Sequence, residues 1–448
     1  MLLTTFGKPV DWQASRLASR RLVSQLKRHY LLILFVLLLP VMLARIKPNT
    51  RSVIWSDSEG YYQYLPALFI LKDVHKLQAG SIWPYYNDKG EYVDKYTCGI
   101  AYFEWPFFLI ARFVSSNLGH DPNDYVNPVY CNAIAIGGFC FAFFGLWILG
   151  KVLRRHFSEG ISMLVIVSIL FGTNFFHYAT REMSISHTYS FFLFALFLYI
   201  LPAWIKKPNA LKSFIIGVIL GWIVLIRPTN ALIGILILLY DVYSMADLKT
   251  RFKFLLTNVR QLIWMIPGLI LIVFPQLLYW KEMTGHWFYY SYTQEGFTNW
   301  KNPKIAEVLF DVQNGLFLYS PLVLLMIIGI FVGLKKKAFQ APALLLIFCI
   351  ATYVFASWWA WWFGGAFGHR CYVEYYALLA IPLAGLFQHI TTHWKLPGRL
   401  AFFSFVFVLM IFSVRLSYLY TSIGGPWDGP DWRWNWEKYE WVLSHVFP

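Results

Sequence analysis

Acidic residues are scarce in this chain, cysteines scarcer still, and internal repetition is absent. Of 448 residues only 23 are Asp or Glu, and 14% are charged in all. With 58% hydrophobic residues and a mean hydropathy of +0.51, a set of soluble domains is excluded. The five cysteines, Cys98, Cys131, Cys140, Cys349 and Cys371, are scattered without a CxxC pair, which argues against a metal cluster and a disulfide framework. No GxxxxGK(S/T) or GxGxxG stretch occurs, so nothing points to nucleotide binding or ATP-driven transport. The inverted-repeat pattern of many secondary transporters is missing as well. No clustered metal-ligand spacing exists, so no metal and no other cofactor is expected.

What the chain has instead is apolar length. Runs of about 16 to 24 residues recur almost throughout, enough to cross roughly 30 Å of hydrocarbon, and in lipid such runs must be helical. The composition therefore predicts an all-α polytopic membrane protein of about eleven spans. The net charge of +15 separates by side when the basic N-terminus is placed in the cytoplasm and the loops alternate. Inside segments then hold 21 of the 38 Lys and Arg but only Asp11, Glu159, Asp241 and Asp247 among the acids, leaving 17 basic against 19 acidic residues elsewhere. This is a positive-inside signature rather than a nucleic-acid footprint.

In chain order the reading is a basic cytoplasmic N-terminus, 1–29, then a bundle over 30–420 and a tryptophan-rich outside tail, 421–448. The N-terminus serves as a solvated anchor or as an amphipathic helix on the anionic leaflet, and the first helix is expected to be retained rather than cleaved as a signal peptide. Outside loop one covers 46–126. Within it, 99–115 is apolar but broken by Glu104, Pro106 and Arg112, and is read as a juxtamembrane or re-entrant helix. Helices are expected near 127–150, 160–177, 187–204, 211–226, 229–243 and 262–279. A second outside loop, 280–315, follows, and later helices flank the short loop Trp358 to Arg370.

Most of the acids thus face outward, which is unusual for a simple bundle and suggests a polar reaction chamber there. Aromatics, a fifth of the chain, offer flat faces for sugar rings or form the usual interfacial belt.

At this point the residues resemble a family. A basic N-terminus, one helix and the acidic motif Asp57-Ser-Glu59-Gly-Tyr61-Tyr62 at its outer end are similar to the GT-C membrane glycosyltransferases. These include the protein O-mannosyltransferases and the aminoarabinose transferases of lipid A. Asp94-Lys95-Tyr96-Thr-Cys-Gly99 through Glu104-Trp-Pro106, Arg227-Pro-Thr-Asn230 and Gly368-His369-Arg370 also match. Mannosyltransferases insert a lumenal domain and the lipid A enzymes end in a soluble one. Neither is expected in these 448 residues, and Pro106 stands where the family has paired prolines, so neither subgroup's substrate is carried over.

The resemblance implies a GT-C-like bundle in the cytoplasmic membrane, with its site on the periplasmic or exoplasmic face. There it would move a sugar, hexosyl or pentosyl, from a polyprenyl-phosphate donor to a hydroxyl on a glycan, lipid or protein, with inversion. Such chemistry needs a base for the acceptor and a cation for the departing phosphate. Asp57 is the expected base with Glu59 assisting; the alternative is that Asp57 or Ser58 caps a helix beginning at Gly60. Arg370, at the start of a helix whose N-terminus favours anions, is expected to hold the phosphate, with Arg227 and Lys95 beside it. Arg370 could instead snorkel to lipid phosphate. Glu374 is expected to pair with Arg370. Tyr61, Tyr62, Glu104 and His369 complete the expected substrate site, while His187 and His369 can equally be structural. The alternative function is a flippase or carrier for lipid-linked saccharide.

Overall fold

The computed structural model describes residues 29–44, 53–77, 85–420 and 435–446. Nearly all of the expected N-terminal anchor and half of the tail lie outside the described residues. Helix α1, His29–Leu43, packs through Phe35 onto Phe139 at 4.9 Å. Loop one then holds α2, Asp57–Pro66, a small hairpin of β1, Tyr85–Tyr86, and β2, Tyr92–Val93, with Tyr86 opposite Tyr92, and α3, Ala101–Asn117.

Helix α4 runs from Pro128 to Leu153. Its start is fixed locally, because the Asn127 side chain accepts from the Val129 and Tyr130 amides and Pro128 occupies the first turn. Helix α3 lies antiparallel beside only the N-terminal half of α4. Asn127 donates to Ser115 (3.2 Å), Phe108 meets Tyr130 (5.1 Å) and Phe103 meets Phe141 (5.2 Å).

The bundle continues with α5, Glu159–Gly172, the short α6, Phe175–Thr180, α7, Ser186–Lys206, and α8, Ala210–Ile226. After α8 the helix expected over 229–243 forms over Pro228–Leu239 only, and its first part is not α-helical. A seven-residue 3-10 stretch, Pro228–Gly234, leads into α9, Ile235–Leu239. Arg227 breaks the chain at φ −149° and ψ 107°, as the residue before a proline is pushed out of the helical region.

Then come α10, Met245–Thr257, α11, Val259–Ile263, α12, Met265–Thr284, α13, Ile305–Phe310, and α14, Leu316–Tyr319. Helices α15, Leu322–Lys336, α16, Ala341–Ser357, α17, Tyr376–His393, α18, Leu396–Tyr420, and α19, Trp436–Val446, finish the chain. Among the described residues four helices, α4, α7, the α11–α12 stretch and α18, combine spanning length with apolar composition, and five shorter apolar helices accompany them. Length and composition alone thus establish four spans; the expected eleven or so is not reached by this criterion. The chain is a multi-pass membrane protein.

Basic helix ends gather at one end of the bundle. Tyr30 at the start of α1 lies beside Arg154 after α4, Arg155 donates to the Tyr199 carbonyl of α7 (2.8 Å), and Lys336 of α15 meets His389 of α17 (3.2 Å). At the opposite end, loop one is tied to α12 through His75, whose two ring nitrogens lie 3.2 Å from Glu91 and 3.2 Å from Glu282.

Without a hydrophobic drive between helices in lipid, close packing depends on small residues. In the α8–α12 pair, a Cβ on Gly217 would run into the Met265 carbonyl oxygen and one on Gly268 into that of Phe214. Gly217→Leu is therefore expected to separate the two helices. Overpacking of this kind costs about 1–3 kcal/mol, so the melting temperature of the detergent-solubilised protein should fall by roughly 1–3 °C. An unchanged melting curve would show that the contact is not tight.

Candidate active site

At the end of the bundle away from the basic helix ends, loop one, the segment after α12 and the loop between α16 and α17 enclose a cavity of about 580 Å³. That volume is in the range of small-ligand sites. Asp57, Tyr61, Lys95, Tyr96, Arg227 and Arg370 all line it.

Asp57 stands at the first position of α2, so the helix does not begin at Gly60, and the carboxylate turns away from any cap. One oxygen accepts from the Tyr96 hydroxyl at 2.6 Å, and the other meets Arg370 Nη1 at 3.0 Å. The two ion-pair side chains remain 17% and 19% exposed, so both are reachable from the cavity. Burial pushes the Asp57 carboxyl up, but Arg370, the Tyr96 hydroxyl, Lys95 and Arg227 together hold it below the ordinary carboxylate range. It is therefore ionised at neutral pH.

Tyr96 can reach Asp57 because α2 has no side chain at Gly60, where a Cβ would strike the Tyr96 ring. Tyr96 is held in turn by its amide, which donates to Asp94 (2.9 Å). Burial drives the Asp94 carboxyl well above its usual range, so this acid supports the turn rather than offering a charge. Gly60→Val is expected to displace Tyr96 and lower turnover about tenfold, the equivalent of one charge-assisted hydrogen bond. Tyr96→Phe measured in parallel should reproduce most of that loss; a normal rate in both would remove Tyr96 from the site.

Lys95 pairs with Glu295 at 2.5 Å and sits over the Tyr292 ring at 4.9 Å. The Glu295 carboxylate also accepts from Trp359 Nε1 at 3.3 Å. The backbone of the 285–304 segment is joined to the tryptophan loop, Trp359 N donating to the Gly296 carbonyl at 2.9 Å. Arg227, at the break after α8, donates to Cys371 Sγ (2.9 Å) and lies 3.3 Å from His187 Nε2.

Several expectations are corrected. Glu374 does not pair with Arg370. It contacts His187 (2.9 Å), Asn230 (3.0 Å) and Arg227 (3.8 Å). The reason is local, because Arg370–Tyr372 is a 3-10 turn and α17 begins only at Tyr376. At three residues per turn, four residues advance one and a third turns instead of about one, which points the two side chains apart. For the same reason Arg370 is not at an α-helix N-terminus, and its partner is a carboxylate.

Glu59 does not line the cavity; the helical form of α2 rotates it about 200° from Asp57, toward Asp94 and Tyr92. Tyr62 is buried and donates to the Tyr125 carbonyl (2.5 Å), and Glu104 is buried against the Tyr189 hydroxyl (3.3 Å). His369 lies behind the cavity wall, its Nε2 donating to the Trp361 carbonyl at 3.1 Å. Burial, with help from Arg227 and Arg370 and against that bond, brings its pKa down to about 3, so the ring is neutral. Tyr292, Glu295 and Trp359 were not expected in the site. The loop of Tyr292 and Glu295 carried a signal, an acid among tyrosines between apolar runs, but nothing in the sequence paired it with Lys95.

This arrangement is a helical bundle with an elaborated first loop and a carboxylate, Asp57, at the first position of its second helix, and its fold is shared with solved membrane-protein structures. The solved structure of the archaeal oligosaccharyltransferase AglB from Archaeoglobus fulgidus, in complex with an inhibitory peptide and a dolichol-phosphate, superposes on it. The TM-score is 0.50 over 94% of this chain at 15% identity. The chain spans 60% of AglB's length. ArnT from Cupriavidus metallidurans, in the apo state, gives 0.49 at 12% identity over 87% of this chain and 69% of ArnT. At such identities the likeness shows the fold alone. No protein-family model and no curated protein matches the sequence.

Proposed function

We propose that the protein is a membrane glycosyltransferase that moves a sugar from a polyprenyl-phosphate donor to an acceptor hydroxyl at the outer face of the cytoplasmic membrane, with inversion. The observation that carries this reading is the Asp57–Arg370 pair at 3.0 Å on the wall of a cavity that also presents Arg227 and Lys95. The fold is shared with AglB, which is solved with a dolichol-phosphate bound.

In the transfer step the acceptor oxygen attacks the anomeric carbon while the bond from that carbon to the phosphate oxygen breaks. The bonding pair leaves on the polyprenyl phosphate, and the acceptor proton passes to an Asp57 oxygen. Arg370 and Arg227 stabilise the charge that develops on the phosphate. Before donor arrives, Arg370 is occupied by Asp57. A phosphate entering the cavity shares that guanidinium, so the carboxylate regains affinity for a proton as the acceptor needs to lose one. The tyrosine and tryptophan faces around Lys95 and Glu295 suit a sugar ring.

The reading is tested by mass spectrometry of lipid that copurifies with the protein. A polyprenyl phosphate, free or sugar-linked, is the expected species. Phospholipid alone, together with no release of polyprenyl phosphate from added donor, would defeat the proposal.

A further inference from the structure

Arg227 is held from behind by groups that have no access to the cavity. Glu374 is fully buried. Its Oε2 lies 2.9 Å from His187 Nδ1, and its Oε1 accepts from Asn230 at 3.0 Å and stands 3.8 Å from Arg227 Nε. A carboxylate only accepts, so the His187 proton sits on Nδ1 and the Nε2 lone pair faces Arg227 Nη1 at 3.3 Å. Cys371 Sγ takes a hydrogen from Nη2 at 2.9 Å. Each guanidinium nitrogen thus has one partner on the protein side. Each terminal nitrogen carries two N–H groups and has one such partner, so one on each remains, and because Arg227 lines the cavity the two are available to a phosphate there.

We infer that Glu374 and His187 are positioning residues that lock the Arg227 fork in the orientation needed to grip the donor phosphate. Glu374 supplies the countercharge and His187 fixes the rotation of the guanidinium plane. The inference rests on the reading that the cavity takes a polyprenyl phosphate. It predicts a specific coupling, since Glu374 acts only through Arg227.

The test is a double-mutant cycle on the full-length protein in nanodiscs, reading affinity for polyprenyl monophosphate. Arg227→Gln and Glu374→Gln should each weaken binding roughly tenfold, and the double variant should be no weaker than Arg227→Gln alone. Glu374→Asp should recover part of the loss, and KM for donor should move more than kcat. Should Glu374→Gln fail to fold, His187→Asn enters the same cycle with the same expectation. Losses that multiply to about a hundredfold in the double variant, or wild-type binding by Glu374→Gln, would overturn the positioning role and leave the phosphate reading intact. Wild-type binding by Arg227→Gln would overturn the role of Arg227 in phosphate binding and the positioning inference with it.

Discussion

Asp57→Asn should abolish transfer while tightening the grip on polyprenyl phosphate. Removing a general base costs about 10²- to 10⁴-fold in rate, and the amide keeps the size of the side chain, so α2 and the Tyr96 contact survive. Binding should move the other way, because the carboxylate at 3.0 Å is the competitor for Arg370 in the unliganded site. An amide no longer holds the guanidinium by charge, so the donor phosphate finds it available. Turnover measured with labelled donor, and affinity measured with polyprenyl phosphate alone, separate the two effects. Normal turnover would remove Asp57 from the mechanism. Weaker phosphate binding would show that Asp57 supports Arg370 and does not compete for it.

Replacing Arg370 should be as damaging by a different route. Arg370→Gln removes the cation nearest to Asp57 and a donor to the departing phosphate, for an expected loss of about 10²- to 10³-fold, the usual effect of deleting one stabilising donor at a developing charge. Lysine should restore little, since a point charge cannot hold a carboxylate and a phosphate in fixed geometry.

The residual activity carries a further signature. Burial raises the Asp57 pKa, and Arg370 is the first of the groups that bring it below the ordinary value. Activity that depends on the ionised carboxylate persists as pH falls until it passes that lowered pKa, so the acidic limb of the wild-type profile should lie below the range of an ordinary carboxylate. In Arg370→Gln burial acts with less opposition, and the limb should move to higher pH. An acidic limb that stays in place would show that another group sets the protonation of the site.

Three of the expectations that failed share a cause, which is local backbone geometry. The apolar run after Arg227 was expected as a helix over 229–243, yet it opens as a 3-10 stretch and is α-helical only over Ile235–Leu239. Glu374 sat one turn from Arg370 only if the turn was α-helical. Glu59 stood near Asp57 only if the segment was extended. Each is a matter of three or four residues, where apolar patterning says least.

By itself the sequence determined the class of protein: long apolar runs, basic ends on one side and acids on the other define a membrane bundle, since hydrocarbon admits little else. It also marked Asp57, Lys95, Arg227 and Arg370, through short motifs that resemble those of a known family and lie at the edge of apolar runs, where charges are tolerated. Only the tertiary structure decided the pairing. Tyr96 reaches Asp57 across 39 residues of chain, Glu295 meets Lys95 across 200, and His187 meets Glu374 across 187. Contacts at such separations are set by how the helices pack, and so by the fit of side chains across many interfaces, none of which is written in the local pattern of any one segment.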